Sequence, residues 1–291
     1  MDDDALSTIR RALPRLTSSE LRIAQAILDD AAHVAELAIT DLARRCATSV
    51  STVARFAQSL GYSGYREFRS AVARSVTLAE VQHDRYGFES TTIDPEDPVS
   101  TVAAKIGVQQ VDAIERTTRM LDAGAVESAA GALVGARRVE ILGQGASSLT
   151  AMDLEQKLIR IGVAASHHPD PHLALTVASL STADDVVVAF SHTGRTRETI
   201  TTTETARDAG AFTIAVTDEA DSPLASVVDL TLLTHASESP FRMAAMSSRI
   251  AQLTVVDILF VAAVQRMGGS SIAASLHLTH DAVLKGRQDG I

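Results

Sequence analysis

Cysteine and aromatic residues are scarce in this chain of 291 residues, which has one cysteine, no tryptophan and 3% aromatic residues. A single cysteine, Cys46, excludes a disulfide within the chain and therefore the disulfide-stapled folds of small secreted proteins. Apolar residues nevertheless make up 46% of the sequence. Because so few of them are aromatic, we expect hydrophobic cores built mainly from alanine, valine, leucine and isoleucine.

Long apolar runs are also missing. No uninterrupted apolar run approaches the roughly 18 residues that span a membrane. The first residues, Met1 to Asp4, are acidic and lack the basic and apolar regions of a secretory signal. These features predict a cytoplasmic protein that does not contact a membrane. The length predicts two domains, since single domains usually run to about 100–200 residues.

Positive charge is in deficit overall, because the net charge is −10, but the basic residues are unevenly distributed. The first 77 residues carry 10 arginines against 9 acidic residues, whereas residues 78–291 carry 16 basic and 27 acidic residues. Binding of nucleic acid depends on where the basic residues lie rather than on their sum. The charge pattern is therefore compatible with DNA binding by the N-terminal region alone.

The N-terminal region shows the apolar periodicity of helices. Thr17 and Glu20 form a capping-box pattern at the start of one predicted helix. Another predicted helix runs from Tyr65 to about Val76. We expect an all-α domain over residues 1–77, followed by a linker over residues 78–98, where two prolines interrupt regular structure.

A helix-turn-helix pattern lies within this region. A short helix from Thr40 to Arg45 and a tight turn precede a helix from Ser49 to Leu60, and Gly61 suits the position after its end. The second helix of such a motif enters the major groove of DNA with its N-terminal residues first. The candidate DNA-binding residues are Ser49, Val50, Ser51, Thr52 and Arg55. A helical bundle with a solvated arginine face has the same spacing, so spacing alone leaves both interpretations open.

The sequence from Leu16 to Val72 resembles the N-terminal domain of RpiR/MurR-type transcription regulators. The strings that carry the resemblance are ITDLA at 39–43, SVSTVARF at 49–56 and LGYSGYREF at 60–68. The resemblance implies that the helix over residues 49–56 binds an operator in double-stranded DNA. It also implies that Val53, Phe56 and Phe68 belong to the core.

Beyond residue 98 strands alternate with helices, which predicts a mainly parallel sheet with helices on both faces. The predicted strands cover residues 139–142, 163–165, 185–190, 212–216 and 227–232. A long apolar helix over residues 245–267 follows them. We therefore expect a three-layer α/β domain over residues 99–291.

Two loops that follow predicted strands carry glycines and hydroxyl groups in front of a helix. The first runs from Gly143 to Ser147 and the second from Ser191 to Thr196. Ligands of open α/β sheets bind at the carboxyl ends of the strands, where helix N-termini favour a phosphate. The first loop also resembles part of a dinucleotide fingerprint, but Ser148 stands where the third glycine is needed. Two ordinary glycine turns with capped helices are the other alternative.

The region from Val99 to Met267 resembles the sugar isomerase domain, SIS. The strings that carry this resemblance are AFSHTGRTRET at 189–199, SPLA at 222–225 and SRIAQL at 248–253. The resemblance implies that a sugar phosphate is bound by Ser147, Ser191, Thr193, Gly194 and Thr196. Thr193 departs from the family, which often has serine there, but it keeps the hydroxyl group. No catalytic residue, metal or cofactor is expected.

The two resemblances together predict a transcription regulator, not an enzyme, whose SIS domain senses a phosphorylated sugar and modulates operator binding. We expect a homodimer or homotetramer, with the helix over residues 245–267 as a candidate dimer surface. One alternative is a phosphosugar isomerase with a helical appendage. Glu238 and Arg242 would be its candidate acid–base groups, although we expect them to be solvated charges of a loop. The other is a regulator with an empty pocket that responds to protein partners.

Three further groups of polar residues are given expected roles from their position in the sequence. The histidine-rich segment from His167 to His172 has no common metal-ligand spacing and is predicted to be a loop at the edge of the pocket. His192 lies in the second loop and either faces the ligand or packs outward. Arg249 and Asp257 are predicted to make structural ion pairs or subunit contacts.

Overall fold

The computed structural model describes residues 5–86, 91–236 and 245–268. The chain divides into two compact units, Met1–Ile106 and Gly107–Ile291. The finer division that the sequence predicts, into residues 1–77, 78–98 and 99–291, stays a prediction.

The regular secondary structure in the described residues of the first unit is helical, as predicted for residues 1–77. Its helices are α1 (Ala5–Ala12), α2 (Ser18–Asp29), α3 (Ala31–Glu36), α4 (Ile39–Arg45), α5 (Val50–Ser59) and α6 (Tyr65–Tyr86), and α7 (Val99–Met120) begins here and ends in the second unit. Helix α6 runs about ten residues past its predicted end, because no glycine or proline interrupts it before Gly87.

The core of the first unit is centred on two phenylalanines despite the scarcity of aromatic residues. Phe56 and Phe68 are fully buried, and their ring centroids lie 5.8 Å apart in an edge-to-face arrangement. The ring of Tyr62 lies 5.3 Å from that of Phe68. Val53 is buried in the same cluster. The three core positions that the resemblance implied are therefore confirmed.

The capping signals of the sequence are confirmed. The backbone N–H and the hydroxyl of Thr17 donate to Oε2 of Glu20, at 2.9 and 2.7 Å. These two hydrogen bonds, the one from the hydroxyl first, hold the pKa of Glu20 below its usual value, and the charge of Arg55 adds a smaller effect. Gly61, which follows the C-cap residue Leu60 of α5, has a φ of 91°, as expected of a glycine just past the end of a helix.

The second unit contains a five-stranded sheet in which every strand pair is parallel. The strands are β1 (Arg138–Gly143), β2 (Ala165–His167), β3 (Asp185–Phe190), β4 (Phe212–Thr217) and β5 (Leu230–Leu233), in the order β2-β1-β3-β4-β5. The helices between and beside them are α8 (Ala123–Gly135), α9 (Ala146–Arg160), α10 (Pro171–Ala178), α11 (Arg197–Asp208) and α12 (Met246–Met267).

Helices cover both faces of this sheet. Val139, Ile141 and Val188 pack in one cluster with residues of α8, α9 and α12. Their neighbours on the other face, such as Leu142 and Val187, pack with residues of α10 and α11. The burial of both faces explains why these strands read as continuous apolar runs. The predicted three-layer α/β fold with a parallel sheet is confirmed.

Strands β2 and β5 begin two and three residues later than predicted, whereas the ends of β1 and β4 differ by no more than one residue. The strand predicted at 163–165 is Ala165–His167, because the N–H of Val163 donates to the carbonyl of Leu158 where α9 ends. The strand predicted at 227–232 is Leu230–Leu233. Residues 225–227 instead form a 3-10 turn that precedes the strand.

Helix α12 is the one described helix that is long and apolar enough to cross a membrane, judged by length and composition alone. In this fold it is a core helix, because Val255, Val256 and Leu259 are buried in the cluster that it shares with α8 and α9. Its apolar character is therefore explained by packing against the sheet and these two helices.

Candidate functional site

The turn between α4 and α5 is held by hydrogen bonds from both sides. The N–H of Thr48 donates to the carbonyl of Ala43 at 2.9 Å, and Ala47 has a φ of 46° in the turn. From α2, the guanidinium of Arg22 donates to the carbonyls of Cys46 and Ala47. Cys46 itself is buried, and burial raises the pKa of its thiol. The helix-turn-helix geometry is thus built into the first unit.

Helix α5 buries one face and exposes the other. Phe56 and Ala57 lie in the core. Thr52 is half-buried, and the other four predicted DNA-binding residues are exposed: Ser49, Val50, Ser51 and Arg55. The hydroxyl of Ser49 accepts from the N–H of Thr52 at 3.1 Å, which confirms the predicted cap. The exposed face therefore presents a hydroxyl-rich helix start and a cation one turn further along.

The second unit has a cavity of about 250 Å³ where strands β1 and β3 end. Three segments line it: the loop after β1, the loop after β3 and the start of α12. The lining residues are Gln144, Ala146, Ser147, Ser191, His192, Thr193, Thr196, Ala245, Ser248, Arg249 and Gln252. The structure therefore brings together the four hydroxyl residues that the sequence assigned to a phosphate.

Gly194 shapes the second loop rather than the wall of the cavity. Its φ is 60°, and a Cβ at this position would lie 2.2 Å from Oγ of the buried Ser222. The N–H of Leu224 donates to the carbonyl of Gly194 at 3.0 Å, so the SPLA segment supports the loop. Within the loop, the hydroxyls of Ser191 and Thr196 lie 3.2 Å apart.

The first loop is also held in a defined shape. A Cβ on Gly143 would lie 2.5 Å from the carbonyl oxygen of Ser147, so only glycine allows α9 to begin so close to β1. Ser148, at the position where a dinucleotide fingerprint needs glycine, makes a 2.8 Å hydrogen bond with Nε2 of His167. The other ring nitrogen of His167 is 2.8 Å from the carbonyl of Ile141, and this bond requires a proton on Nδ1. The hydroxyl of Ser148 is then the donor to Nε2.

The electrostatics of the cavity favour an anion. None of the described lining residues is a carboxylate, and Arg249 is the one lysine or arginine among them. No ion pair within the described part of the chain engages this guanidinium. Helices α9 and α11 begin at the cavity, and their N-cap residues, Gly145 and Thr196, make no capping side-chain bond. Their first N–H groups therefore lack the side-chain acceptor that Asp122 provides for α8.

The three lining residues that belong to α12, Ser248, Arg249 and Gln252, were not identified as site residues from the sequence. Arg249 lies in the cavity wall and makes no ion pair within the described residues, and its predicted subunit contact stays a prediction. Asp257, by contrast, forms the predicted kind of ion pair, with Lys157 at 2.9 Å. The available sequence signal was that the SRIAQL string places polar residues in the first turns of an otherwise apolar helix.

The other polar candidates lie elsewhere or outside the described residues. His167 ends β2, and the described residues contain no cluster of metal-ligating side chains. His168 lies 3.5 Å from Glu140, a carboxylate whose pKa is raised chiefly by burial. Glu238 and Arg242, the candidate acid–base groups, lie outside the described residues.

Two family models match the chain. The model of the helix-turn-helix domain of the rpiR family matches residues 4–78, and the SIS domain model matches residues 132–262. An HTH-type transcriptional regulator of Caldanaerobacter subterraneus is 37% identical over 90% of this chain and 91% of its own length. The chain belongs to the RpiR family. An HTH-type transcriptional regulator of Haemophilus influenzae is 31% identical over 93% of both chains.

Two solved structures share the fold of this chain or of its second unit. The NanR protein of Vibrio vulnificus, complexed with ManNAc-6P, is 27% identical, covers 97% of this chain and 98% of its own, and has a TM-score of 0.60. The sugar isomerase domain of an RpiR transcription factor from Sphaerobacter thermophilus covers 62% of this chain and 98% of its own, at 20% identity and a TM-score of 0.57. The RpiR transcription regulators are thus the class to which this chain is assigned.

Proposed function

We propose that this RpiR regulator binds a sugar phosphate in the cavity of its SIS domain and that the ligand modulates operator binding. One observation carries the proposal: hydroxyl groups from both loops and the guanidinium of Arg249 line a cavity in which no described residue is acidic. Backbone N–H groups, hydroxyls and arginine are the groups with which proteins hold phosphate. The NanR structure, which contains ManNAc-6P, supports a phosphorylated sugar as the ligand class.

Operator binding is assigned to α5 of each subunit. Ser49, Val50, Ser51, Thr52 and Arg55 would approach the major groove, as the N-terminal residues of a recognition helix do. The hydroxyls suit base edges or phosphates, and Arg55 suits either guanine or a phosphate.

A sensor is favoured over an isomerase. Moving a proton next to a carbonyl needs a base within hydrogen-bond reach of the substrate. Among the described lining residues His192 is the one histidine, and none is a carboxylate. A fold shared with isomerases does not by itself confer their activity.

The regulation we propose is a population shift in a cytoplasmic homodimer or homotetramer. The sugar phosphate would bind one arrangement of the subunits better and so bias the spacing of the two recognition helices. Symmetric regulators read symmetric operators, with half-sites about one helical turn or a multiple of it apart. The ligand then changes how well both helices reach their half-sites together.

Thermal denaturation tests ligand binding directly. We would measure the Tm with inorganic phosphate, glucose 6-phosphate, fructose 6-phosphate, 6-phosphogluconate, glucosamine 6-phosphate, N-acetylglucosamine 6-phosphate and N-acetylmannosamine 6-phosphate, each sugar beside its unphosphorylated parent. A ligand that binds the folded state raises the Tm with concentration. We expect a rise with at least one sugar phosphate and none with its parent. Equal responses to the sugar and its phosphate, or no response throughout, would contradict the proposal.

A further inference from the structure

Gln252 has a side-chain amide nitrogen without a hydrogen-bond partner among the described residues, and the loops after β1 and β3 do not supply one. Its side chain is 1% exposed on α12 and lies in the wall of the cavity. Its Oε1 accepts a hydrogen bond from the hydroxyl of Thr150 at 3.3 Å. Its Nε2 is buried and has no partner within the described part of the chain. In the amide orientation of the structure, Oε1 faces Thr150 and the donor end, Nε2, is the end left over.

Such a donor is rare in a folded protein. Nearly all buried polar groups have a hydrogen-bond partner, because an unsatisfied buried donor is costly. A ligand that supplies the missing acceptor removes this cost in the bound state. Gln252 lies one turn beyond Ser248 and Arg249, which also line the cavity, so the start of α12 presents several donors together.

The lining of the cavity defines which ligand chemistry suits this donor. The hydroxyl groups from the loops after β1 and β3 serve the phosphate, and α12 forms the remaining part of the wall. That wall has an amide and a guanidinium but no acidic group among its described residues. It therefore suits oxygen acceptors on the sugar and provides no counter-charge for an ammonium group.

We infer that Gln252 is a specificity-determining residue whose amide donates a hydrogen bond to an acceptor oxygen of the bound sugar. The described wall then favours neutral or acidic sugar phosphates, N-acetylated ones included, over those that carry a free ammonium group. This inference rests on the proposed function, because it needs a sugar phosphate in the cavity.

The test compares the full-length Gln252→Met variant with the wild type by isothermal titration calorimetry. The ligands are inorganic phosphate and the sugar phosphates of the thermal panel. Methionine keeps the length of the side chain and removes the donor. We expect the affinity for the sugar phosphate that wild type binds best to fall about tenfold, the usual effect of losing one buried hydrogen bond. The affinity for inorganic phosphate should change less than about threefold.

Three controls separate this role from a structural one. Thr254→Val, on the same helix but outside the cavity lining, should leave both affinities unchanged. The Tm of the unliganded Gln252→Met variant should stay close to that of wild type, because losing the bond from Thr150 offsets the removal of an unsatisfied donor. If the Gln252→Met variant does not fold, the Gln252→Leu variant is measured in its place. Glucosamine 6-phosphate should bind wild type no more tightly than inorganic phosphate does.

The outcomes distinguish the two proposals. If wild type binds none of the sugar phosphates, the proposed function fails, and this inference fails with it. If wild type binds a sugar phosphate and Gln252→Met binds it equally well, the inference is wrong and the proposed function stands. Equal losses for inorganic phosphate and the sugar phosphate would also overturn it, since they indicate a general effect on the cavity.

Discussion

Replacing Gly194 with alanine should damage the second loop, and the structure supports an estimate of the cost. The φ of 60° is unfavourable for alanine by roughly 1–2 kcal/mol. The new Cβ would lie 2.2 Å from Oγ and 2.4 Å from Cβ of Ser222. Ser222 is fully buried, and its Oγ accepts from the N–H of Ala225, so it cannot move away freely. Overpacking of this kind costs about 1–3 kcal/mol, which gives a total of about 2–5 kcal/mol for Gly194→Ala.

Urea unfolding followed by circular dichroism measures this loss, and calorimetry with the sugar phosphates measures its effect on binding. Gly107→Ala is the matched control, because Gly107 lies within α7 and a Cβ added there would meet nothing within 4 Å. That variant should be more stable than wild type by about 0.5–1 kcal/mol, since alanine favours a helix. If Gly194→Ala is as stable as wild type and binds sugar phosphates normally, the described geometry of the loop is wrong.

Three other predictions concern the two sites and the capping box. Arg55→Ala should weaken DNA binding, reduce the slope of log affinity against log salt concentration by about 1, and leave the affinity for the sugar phosphate unchanged. Unchanged DNA affinity in a mobility-shift assay would count against α5 as the recognition helix. The double variant Ser191→Ala, Thr196→Ala should lose the ligand response but keep basal DNA binding, and a normal response would refute the phosphate assignment. Because the folded-state pKa of Glu20 lies below its unfolded value, its contribution to stability is present above the unfolded pKa and is lost as pH falls through the folded pKa. Glu20→Gln should therefore reduce the loss of stability in acid, which unfolding at a series of pH values would detect.

Much of the fold could be predicted because its signals are local. The capping box at Thr17 and Glu20 and the cap at Ser49 depend on residues three positions apart, and both are confirmed. Strand β3 was predicted with its observed bounds, because a strand buried on both faces reads as an apolar run. The start of β5 was misplaced since Val227 and Val228 look like strand residues, although the first belongs to a 3-10 turn.

The cavity could be predicted only in part, because only some of its residues are identified by local signals in the sequence. The hydroxyl groups of Ser191 and Thr196 lie in one loop, and the rule that ligands bind at strand ends was enough to group them with Ser147. Arg249 and Gln252 reach the cavity because α12 packs beside α9, about one hundred residues away along the chain. Such a contact is a result of tertiary packing, and no spacing within the sequence indicates it.

The central claim is that a sugar phosphate controls DNA binding by this regulator. The most direct measurement takes DNA fragments selected by the full-length protein from its own genome and determines their affinity with no ligand, with the sugar phosphate that raises the Tm most, and with its parent sugar. We predict that the sugar phosphate changes the affinity at least about tenfold, which corresponds to a coupling of about 1.4 kcal/mol, and that the parent sugar changes nothing. Equal DNA affinity under all three conditions, at a ligand concentration that saturates the cavity, would contradict the claim.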